Sequence, residues 1–103
     1  MAKRTVRWTR TADIQYFGIL DYWRKRNKSV AYPKKLIKTV GKLTRQIAET
    51  PFMYKEAEFM DNRVATLGHF SLFYKVSKNE ILITAFWDNR QDPGELLRIL
   101  SAE

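Results

Sequence analysis

The fold is decided by residues 70–87, whose sequence is FSLFYKVSKNEILITAFW. Apolar side chains alternate over Phe70–Val76, and this period of two predicts a strand with one buried face. Ser77–Glu80 is a polar turn, and Ile81–Trp87 is an apolar run of strand length, which predicts a central strand. These two strands therefore form the centre of a predicted sheet.

The chain before this stretch has helical periodicity instead. Thr9 or Thr11 offers an N-cap, and the apolar spacing that follows predicts a helix to about Arg26 with one apolar face directed at the core. That face consists of Ala12, Tyr16, Ile19, Leu20 and Trp23. Ser29 is the predicted cap of a second helix, which Thr50-Pro51 ends. The apolar stripe of that helix consists of Tyr32, Leu36, Val40, Leu43 and Ile47. Because the joint between the helices is short, they are predicted to pack as an antiparallel hairpin.

The ends of the chain complete an α+β fold. Arg4–Thr9 predicts a short N-terminal strand, and Phe52–Asp61 a loop that leads into a further strand. Near the C-terminus, Asp92-Pro93-Gly94-Glu95 has the composition of a capping box, which predicts a short closing helix or turn. The predicted order is β-α-α-β-β-β-(α), with the hairpin packed on one face of a mainly antiparallel sheet of about four strands. The residues expected in the core are Leu36, Val40, Leu43, Leu72, Tyr74, Val76 and Leu82.

Composition limits the class of protein. A chain of 103 residues and 12.2 kDa is long enough for one core, so residues 1–103 are expected to form one domain. There is no cysteine and one histidine, which excludes a cysteine nucleophile, a disulfide scaffold and a Cys/His zinc site. We expect no metal and no other cofactor. No apolar run approaches the roughly 18 residues of a membrane span, and the start of the chain lacks a signal peptide's apolar stretch, so we expect a cytoplasmic protein without a membrane partner.

Charge is distributed unevenly along the chain. The chain has 19 Lys+Arg against 11 Asp+Glu, a net charge of +8. Residues 1–48 hold 13 Lys/Arg and only Asp13 and Asp21, a net of +11, whereas residues 49–103 hold 6 Lys/Arg and 9 Asp/Glu, a net of −3. Such a one-sided field attracts a polyanion or an acidic protein, and a solvated helical face has the same composition. Composition alone does not choose between these interpretations.

Four segments taken together resemble the RelE/ParE toxin superfamily. They are Trp8-Thr9-Arg10-Thr11-Ala12, the hairpin that closes at Glu49-Thr50-Pro51, the strand Phe70–Val76, and Phe86-Trp87-Asp88-Asn89-Arg90-Gln91-Asp92-Pro93. The most specific parts are the aliphatic-aromatic-Tyr strand and the Asp-x-Arg-Gln-x-Pro segment. The resemblance implies the toxin of a type II toxin–antitoxin pair, neutralised by a cognate acidic antitoxin within a toxin–antitoxin hetero-oligomer.

This superfamily includes two activities. RelE-like members enter the ribosome and cut mRNA, whereas ParE-like members inhibit DNA gyrase and have no cleaving site of their own. The basic charge balance favours an RNA-rich target, so we expect a ribosome-dependent mRNA endonuclease that inhibits translation. The alternatives are a ParE-like gyrase inhibitor, and a non-toxic basic module that binds nucleic acid through its Lys-rich second helix.

RNA cleavage of this type needs cations around the scissile phosphate and a group that moves a proton. The candidates are Arg63, His69 and Arg90, which are expected to line one concave surface. Lys55 and Phe73 join the two arginines as candidate nucleic-acid contacts, with Phe73 as a base-stacking platform. Each candidate also has a structural interpretation, such as an Arg90 that ties its loop to Asp88 or Asp92. The sequence departs from RelE-like cleaving members at Ser71, where they usually carry arginine, and in residues 94–98, which hold no Tyr or His.

Overall fold

The structure, a computed structural model, describes residues 4–58 and 61–101. Within these residues the elements are β1 (Thr5–Trp8), α1 (Arg10–Asn27), α2 (Ala31–Glu49), β2 (Arg63–Leu67), β3 (Phe70–Val76), β4 (Glu80–Asp88) and α3 (Pro93–Ser101). The predicted α+β class and element order are confirmed. Residues 1–3 of the charged start and residues 59–60 of the predicted loop lie outside the described residues. None of the described helices is long and apolar enough to cross a bilayer.

The strands form one sheet in the order β1-β4-β3-β2. β4 pairs antiparallel with β3, and β3 with β2, whereas β1 lies parallel to β4 with Thr5 opposite Glu80. Phe70 at the start of β3 lies opposite Asp88 at the end of β4. The β2–β3 turn and the loop after β4 therefore meet at the same end of the sheet.

The two long helices begin with different caps. The Thr9 hydroxyl accepts a hydrogen bond from the Ala12 backbone N–H at 3.1 Å, which confirms one of the two predicted caps. α2 instead has Val30 at the cap position without a side-chain cap, so the prediction of Ser29 as the cap was wrong by one residue. The Ser29 hydroxyl still accepts from the Ala31 backbone N–H at 3.1 Å. The chain can turn this tightly because Lys28 adopts a left-handed conformation, with φ of 50°.

The sheet is covered on both faces. The larger core lies beneath α1 and α2, and its buried members include Leu36, Val40, Leu43, Ile47, Leu72, Tyr74, Ile81, Ile83 and Phe86. A smaller core lies beneath α3 and contains Phe73, Ala85, Trp87, Leu96 and Leu100. Of the predicted core residues, Val76 is partly buried against the larger cluster. α3 thus covers part of the face that the helical hairpin leaves open.

The prediction of Leu82 as a core residue was wrong. Ile81 and Ile83 face the helical hairpin, so Leu82 lies on the other face, opposite Lys75 and half-buried. α3 covers that face only farther along β4, at Ala85 and Trp87. The change of face occurs at a bulge, where Phe73 pairs with Ala85 but Tyr74 pairs with Ile83. Thr84 is the extra residue, because a bulge leaves one residue of the longer strand unpaired.

α3 begins with half of the predicted capping box. The Asp92 carboxylate accepts a hydrogen bond from the Gly94 backbone N–H at 2.9 Å. The Glu95 carboxylate forms an ion pair with Arg98 one turn later. In a complete capping box the Glu95 carboxylate would bond the backbone N–H of the N-cap residue. Here it pairs with the exposed Arg98 guanidinium instead.

Candidate functional site

A groove of about 630 Å³ lies between α1 and the end of β4, and we name it the α1–β4 groove. α1 contributes Ile14, Gln15, Gly18, Ile19, Tyr22, Trp23 and Arg26, and the segment around the end of β4 contributes Phe86, Trp87, Asp88, Arg90 and Gln91. Its α1 wall is unusually apolar at the surface, since Ile14 is 62 % exposed and Tyr22 is 53 % exposed. An exposed apolar wall of this kind is typical of an interaction surface.

Arg90 is held at one wall of the groove by Asp88. Its backbone N–H and its Nε both donate to Asp88 Oδ1 at 2.9 Å, and its Nη2 donates to Oδ2 at 2.7 Å. The hydrogen bond from the Arg90 side chain holds the pKa of Asp88 below its ordinary value. The guanidinium remains about half exposed, so this cation is both fixed in position and accessible.

Trp23 lies at the centre of the cationic part of the groove. The guanidinium carbons of Arg26 and Arg90 lie 5.8 and 5.7 Å from its ring centroid, within the range of cation–π attraction. Tyr22 and Tyr32 both contact it edge-on, each with ring centroids 5.2 Å away. These five residues, which we name the Trp23 cluster, combine aromatic surface with two positive charges.

His69 lies at the same end of the sheet as Arg90. It occupies the turn between β2 and β3, directly after Gly68, whose φ of 61° permits the tight turn. The His69 backbone carbonyl accepts a hydrogen bond from the Asn89 N–H at 2.7 Å. The backbone of His69 therefore joins the β2–β3 turn to the Arg90 loop, and its side chain is exposed.

Arg63 lies at the opposite end of β2. It pairs with Tyr74, whereas Leu67 pairs with Phe70 at the His69 end, so about 13 Å of strand separates the two ends. Its Nη1 donates to the Tyr54 carbonyl at 2.7 Å, and its Nη2 lies 3.3 Å from the Glu56 carboxylate. Arg63 thus fixes the loop that precedes β2.

Lys55 and Phe73 have different surroundings. Lys55 is exposed in the loop that Arg63 fixes, and its backbone carbonyl accepts from the Val64 N–H at 3.0 Å. Phe73 is only 8 % exposed, packed beneath α3 with Leu96 and Leu100. The interpretation of Phe73 as a base-stacking platform was wrong, because α3 covers its ring.

Comparison with known proteins now adds to this geometry. The model of the family described as ParE toxin of type II toxin-antitoxin system, parDE, matches residues 6–93. The chain belongs to the ParE toxin family. Among solved structures, the chain is similar to one described as the chromosomal ParDE TA system from P. aeruginosa, with a TM-score of 0.56 and 23 % identity. That match covers 82 % of this chain and 94 % of the other, and the search of curated proteins finds no match.

Family membership confirms the superfamily resemblance and implies a cognate antitoxin. The expectation that Arg63, His69 and Arg90 line one concave surface in this ParE-family chain was wrong. Because β2 runs between them, Arg63 is separated from the His69–Arg90 end of the sheet. The described residues also contain no group of three His, Cys, Asp or Glu side chains placed to hold a metal ion.

Sequence reasoning missed the α1 side of the groove in this ParE-family chain. Trp23 was grouped with the helix face expected in the core, yet it is half-buried at the groove. A signal was present: Ile14, Phe17 and Tyr22 are apolar residues outside the predicted core face of α1. Apolar residues outside the core-facing stripe of a helix indicate a second surface that a partner covers.

Proposed function

We propose that this ParE-family chain is the toxin of a type II toxin–antitoxin pair that inhibits DNA gyrase by binding rather than by cutting RNA. Residues 1–103 act as one toxin domain in the cytoplasm, where gyrase and the chromosome are found. A cognate antitoxin covers the toxin until it is released.

Family membership supports this proposal, because the family model spans residues 6–93 and ParE toxins are generally gyrase inhibitors. The family match outweighs the basic charge balance that favoured mRNA cleavage. A basic protein is attracted equally to a target that is bound to DNA and to one that is bound to RNA, so its net charge does not distinguish them.

The separation of Arg63 from Arg90 is the structural observation that carries the proposal. Cleavage by a 2′-hydroxyl needs proton transfer and charge stabilisation at one phosphate. Arg63 is occupied by backbone carbonyls and Glu56, and Arg90 is bonded to Asp88. His69 is then the only imidazole of the sequence, and the Asp88 carboxylate at the same end of the sheet is already bonded to Arg90. Binding to gyrase requires none of this chemistry.

The α1–β4 groove is the surface that we assign to the antitoxin. Its exposed Ile14 and Tyr22 suit the apolar side of an amphipathic segment, and the two arginines of the Trp23 cluster suit its acidic side. Gln15 lines the groove, and its buried Nε2 has no acceptor among the described residues.

The substitution His69→Ala tests whether the toxin inhibits gyrase or cleaves mRNA. For a nuclease, loss of the only imidazole should lower activity by roughly 10²–10⁴, the usual share of general acid–base catalysis. We expect instead that His69→Ala inhibits growth as the wild type does. After induction, pulse labelling should show that DNA synthesis stops before protein synthesis, and the purified toxin should block supercoiling by purified gyrase.

The opposite pattern would refute the proposal. If protein synthesis stops first, supercoiling continues, and a folded His69→Ala variant loses toxicity, the chain is an mRNA endonuclease. Circular dichroism of the variant supplies the control for folding. Because His69 is exposed in a turn, its side chain contributes little to stability, within about ±0.5 kcal/mol.

A further inference from the structure

α2 presents a row of unpaired cations opposite its buried face. Lys34, Lys35, Lys38, Lys42 and Arg45 are all exposed. At 3.6 residues per turn they fall within an arc of about 100°, and the buried Leu36, Val40, Leu43 and Ile47 occupy the opposite side. We name the five cations the α2 basic stripe.

The five cations of the stripe have no counter-charge, unlike several other cations of the molecule. Arg24 and Lys25 of α1 both form ion pairs with Asp21, at 2.7 and 2.9 Å. Arg7, Arg63 and Arg90 likewise pair with carboxylates. In the described chain none of the stripe cations has an ion pair, and α2 has no acidic residue before Glu49. Lys34, Lys38 and Lys42 repel one another at a spacing of four residues, which weakens the helix.

We propose that the α2 basic stripe binds the phosphate backbone of duplex DNA, independently of sequence and of the groove assigned to the antitoxin. From Lys34 to Arg45 the stripe spans about 16 Å, at 1.5 Å of rise per residue. Along the duplex axis, one strand of DNA carries a phosphate about every 3.4 Å, or about five phosphates over that length. Because the strand winds around the axis and α2 is straight, five is the upper limit of the phosphates that the stripe contacts.

The residue types favour duplex DNA over other polyanions. Residues 34–45 include no aromatic side chain, so the stripe lacks the stacking platforms that single-stranded nucleic acid uses. Four of the five cations are lysines, which contact phosphates as point charges without reading bases. A membrane is disfavoured because the apolar face that a bilayer would receive is already buried in the core.

The stripe and the α1–β4 groove can be occupied together. The helical wall of the groove comes from α1, and α2 reaches it only through Tyr32, which packs against Trp23 and is not part of the stripe. A toxin held by its antitoxin in the groove therefore keeps its DNA-binding surface. This inference does not depend on gyrase being the target.

The test measures binding of the full chain to a fluorescent 25-base-pair duplex at salt concentrations from about 50 to 200 mM. A protein that neutralises Z phosphates gives a slope of log K against log salt of about −0.9Z, so the upper limit of five contacts gives a slope of about −4.5. The triple substitution Lys34→Gln, Lys38→Gln, Lys42→Gln should make the slope shallower, by up to about 2.7, and weaken binding at least tenfold at the low-salt end.

A charge-matched control separates the stripe from net charge. Lys28→Gln, Lys75→Gln, Lys78→Gln removes three exposed lysines outside the stripe and should leave the slope nearly unchanged. The stripe variant should remain folded, because its substitutions relieve repulsion within α2. Equal losses in both variants, no loss in the stripe variant, or tighter binding to a single strand or to anionic vesicles would overturn the proposal.

Discussion

Tyr74 joins the sheet to the end of the helical hairpin. Its ring is fully buried in the larger core, and its hydroxyl donates to the Pro51 backbone carbonyl at 2.6 Å. Burial raises the pKa of Tyr74 to about 12. An ordinary tyrosine in the unfolded chain has a pKa of about 10, so the folded state keeps a proton that the unfolded state releases between these values.

Tyr74→Phe should therefore lower the free energy of unfolding in a pH-dependent way. At pH 8 the loss should be about 1–3 kcal/mol, because a buried carbonyl loses its donor. Between about pH 10 and pH 12 the Tyr74 hydroxyl ionises only in the unfolded state, which lowers the free energy of unfolding of the wild type. The variant has no such hydroxyl, so it should lack this contribution to the loss. Urea unfolding at pH 8 and pH 11 measures both effects.

Tyr32→Phe is the matched control, since Tyr32 lies at the surface of α2. Its unfolding free energy should stay within about 0.5 kcal/mol of the wild type at pH 8. If the difference in unfolding free energy between the wild type and Tyr74→Phe is larger at pH 11 than at pH 8, the raised pKa of Tyr74 is contradicted.

At the scale of elements, the joint between α1 and α2 has the clearest backbone constraint. Lys28 occupies the left-handed C-cap of α1, and its N–H bonds to the Arg24 carbonyl. A residue with a Cβ is disfavoured in this conformation, whereas glycine adopts it freely.

Lys28→Gly should raise the free energy of unfolding by about 0.5–1 kcal/mol, because the Cβ costs about 1–2 kcal/mol in the left-handed conformation and the extra freedom of glycine in the unfolded chain offsets part of that gain. Lys38→Gly, in the middle of α2, should lower it by about 1 kcal/mol, because there glycine only adds freedom to the unfolded chain. Thermal unfolding of both variants shows whether each substitution raises or lowers the stability. Destabilisation by Lys28→Gly would mean that the left-handed cap is absent in solution.

Element types and order were predictable because each segment has a strong local pattern. α2 has a clean stripe of apolar residues, and β3 has an apolar residue at every second position from Phe70 to Val76. The face of Leu82 was not predictable in this way, since β4 is apolar on both faces and its bulge at Thr84 has no local sequence signal. Thr84 is fixed by a distant partner, the buried Asn62, through a hydrogen bond of 2.5 Å.

At the scale of the whole molecule, charge and groove together define how the antitoxin approaches. Residues 1–48 carry a net charge of +11, and they supply α1 and the α2 basic stripe. A field of this size steers an acidic segment towards the helical hairpin before the groove contacts form. The groove contacts then set how long the complex lasts.

We expect the rate of association with an acidic antitoxin segment to fall at least tenfold between about 50 and 500 mM salt, because steering is screened. The rate of dissociation should change far less, since it depends on the apolar contacts in the groove, which salt does not screen. Stopped-flow mixing of the toxin with the segment measures both rates. An association rate independent of salt would contradict electrostatic steering.

The candidate site was predictable only in part, because it depends on which ends of strands meet. The Asp88–Arg90 segment was identified from its own residues, and the pairing of Arg90 with Asp88 was one of the weighed alternatives. Separation of Arg63 from His69 follows from β2 register, and burial of Phe73 follows from α3 packing. Both are long-range properties that no local pattern contains.

The parallel pairing of β1 with β4 has a consequence for synthesis of the chain. Thr5 is made about 75 residues before its partner Glu80, and Trp8 as long before Ile83. The sheet therefore cannot close until β4 has been made, since β4 lies between β1 and β3 and holds both. A truncated product that stops before β4 lacks the Arg90 wall of the groove and the centre of the fold. The groove thus forms only after β4 and the loop that follows it have been synthesised.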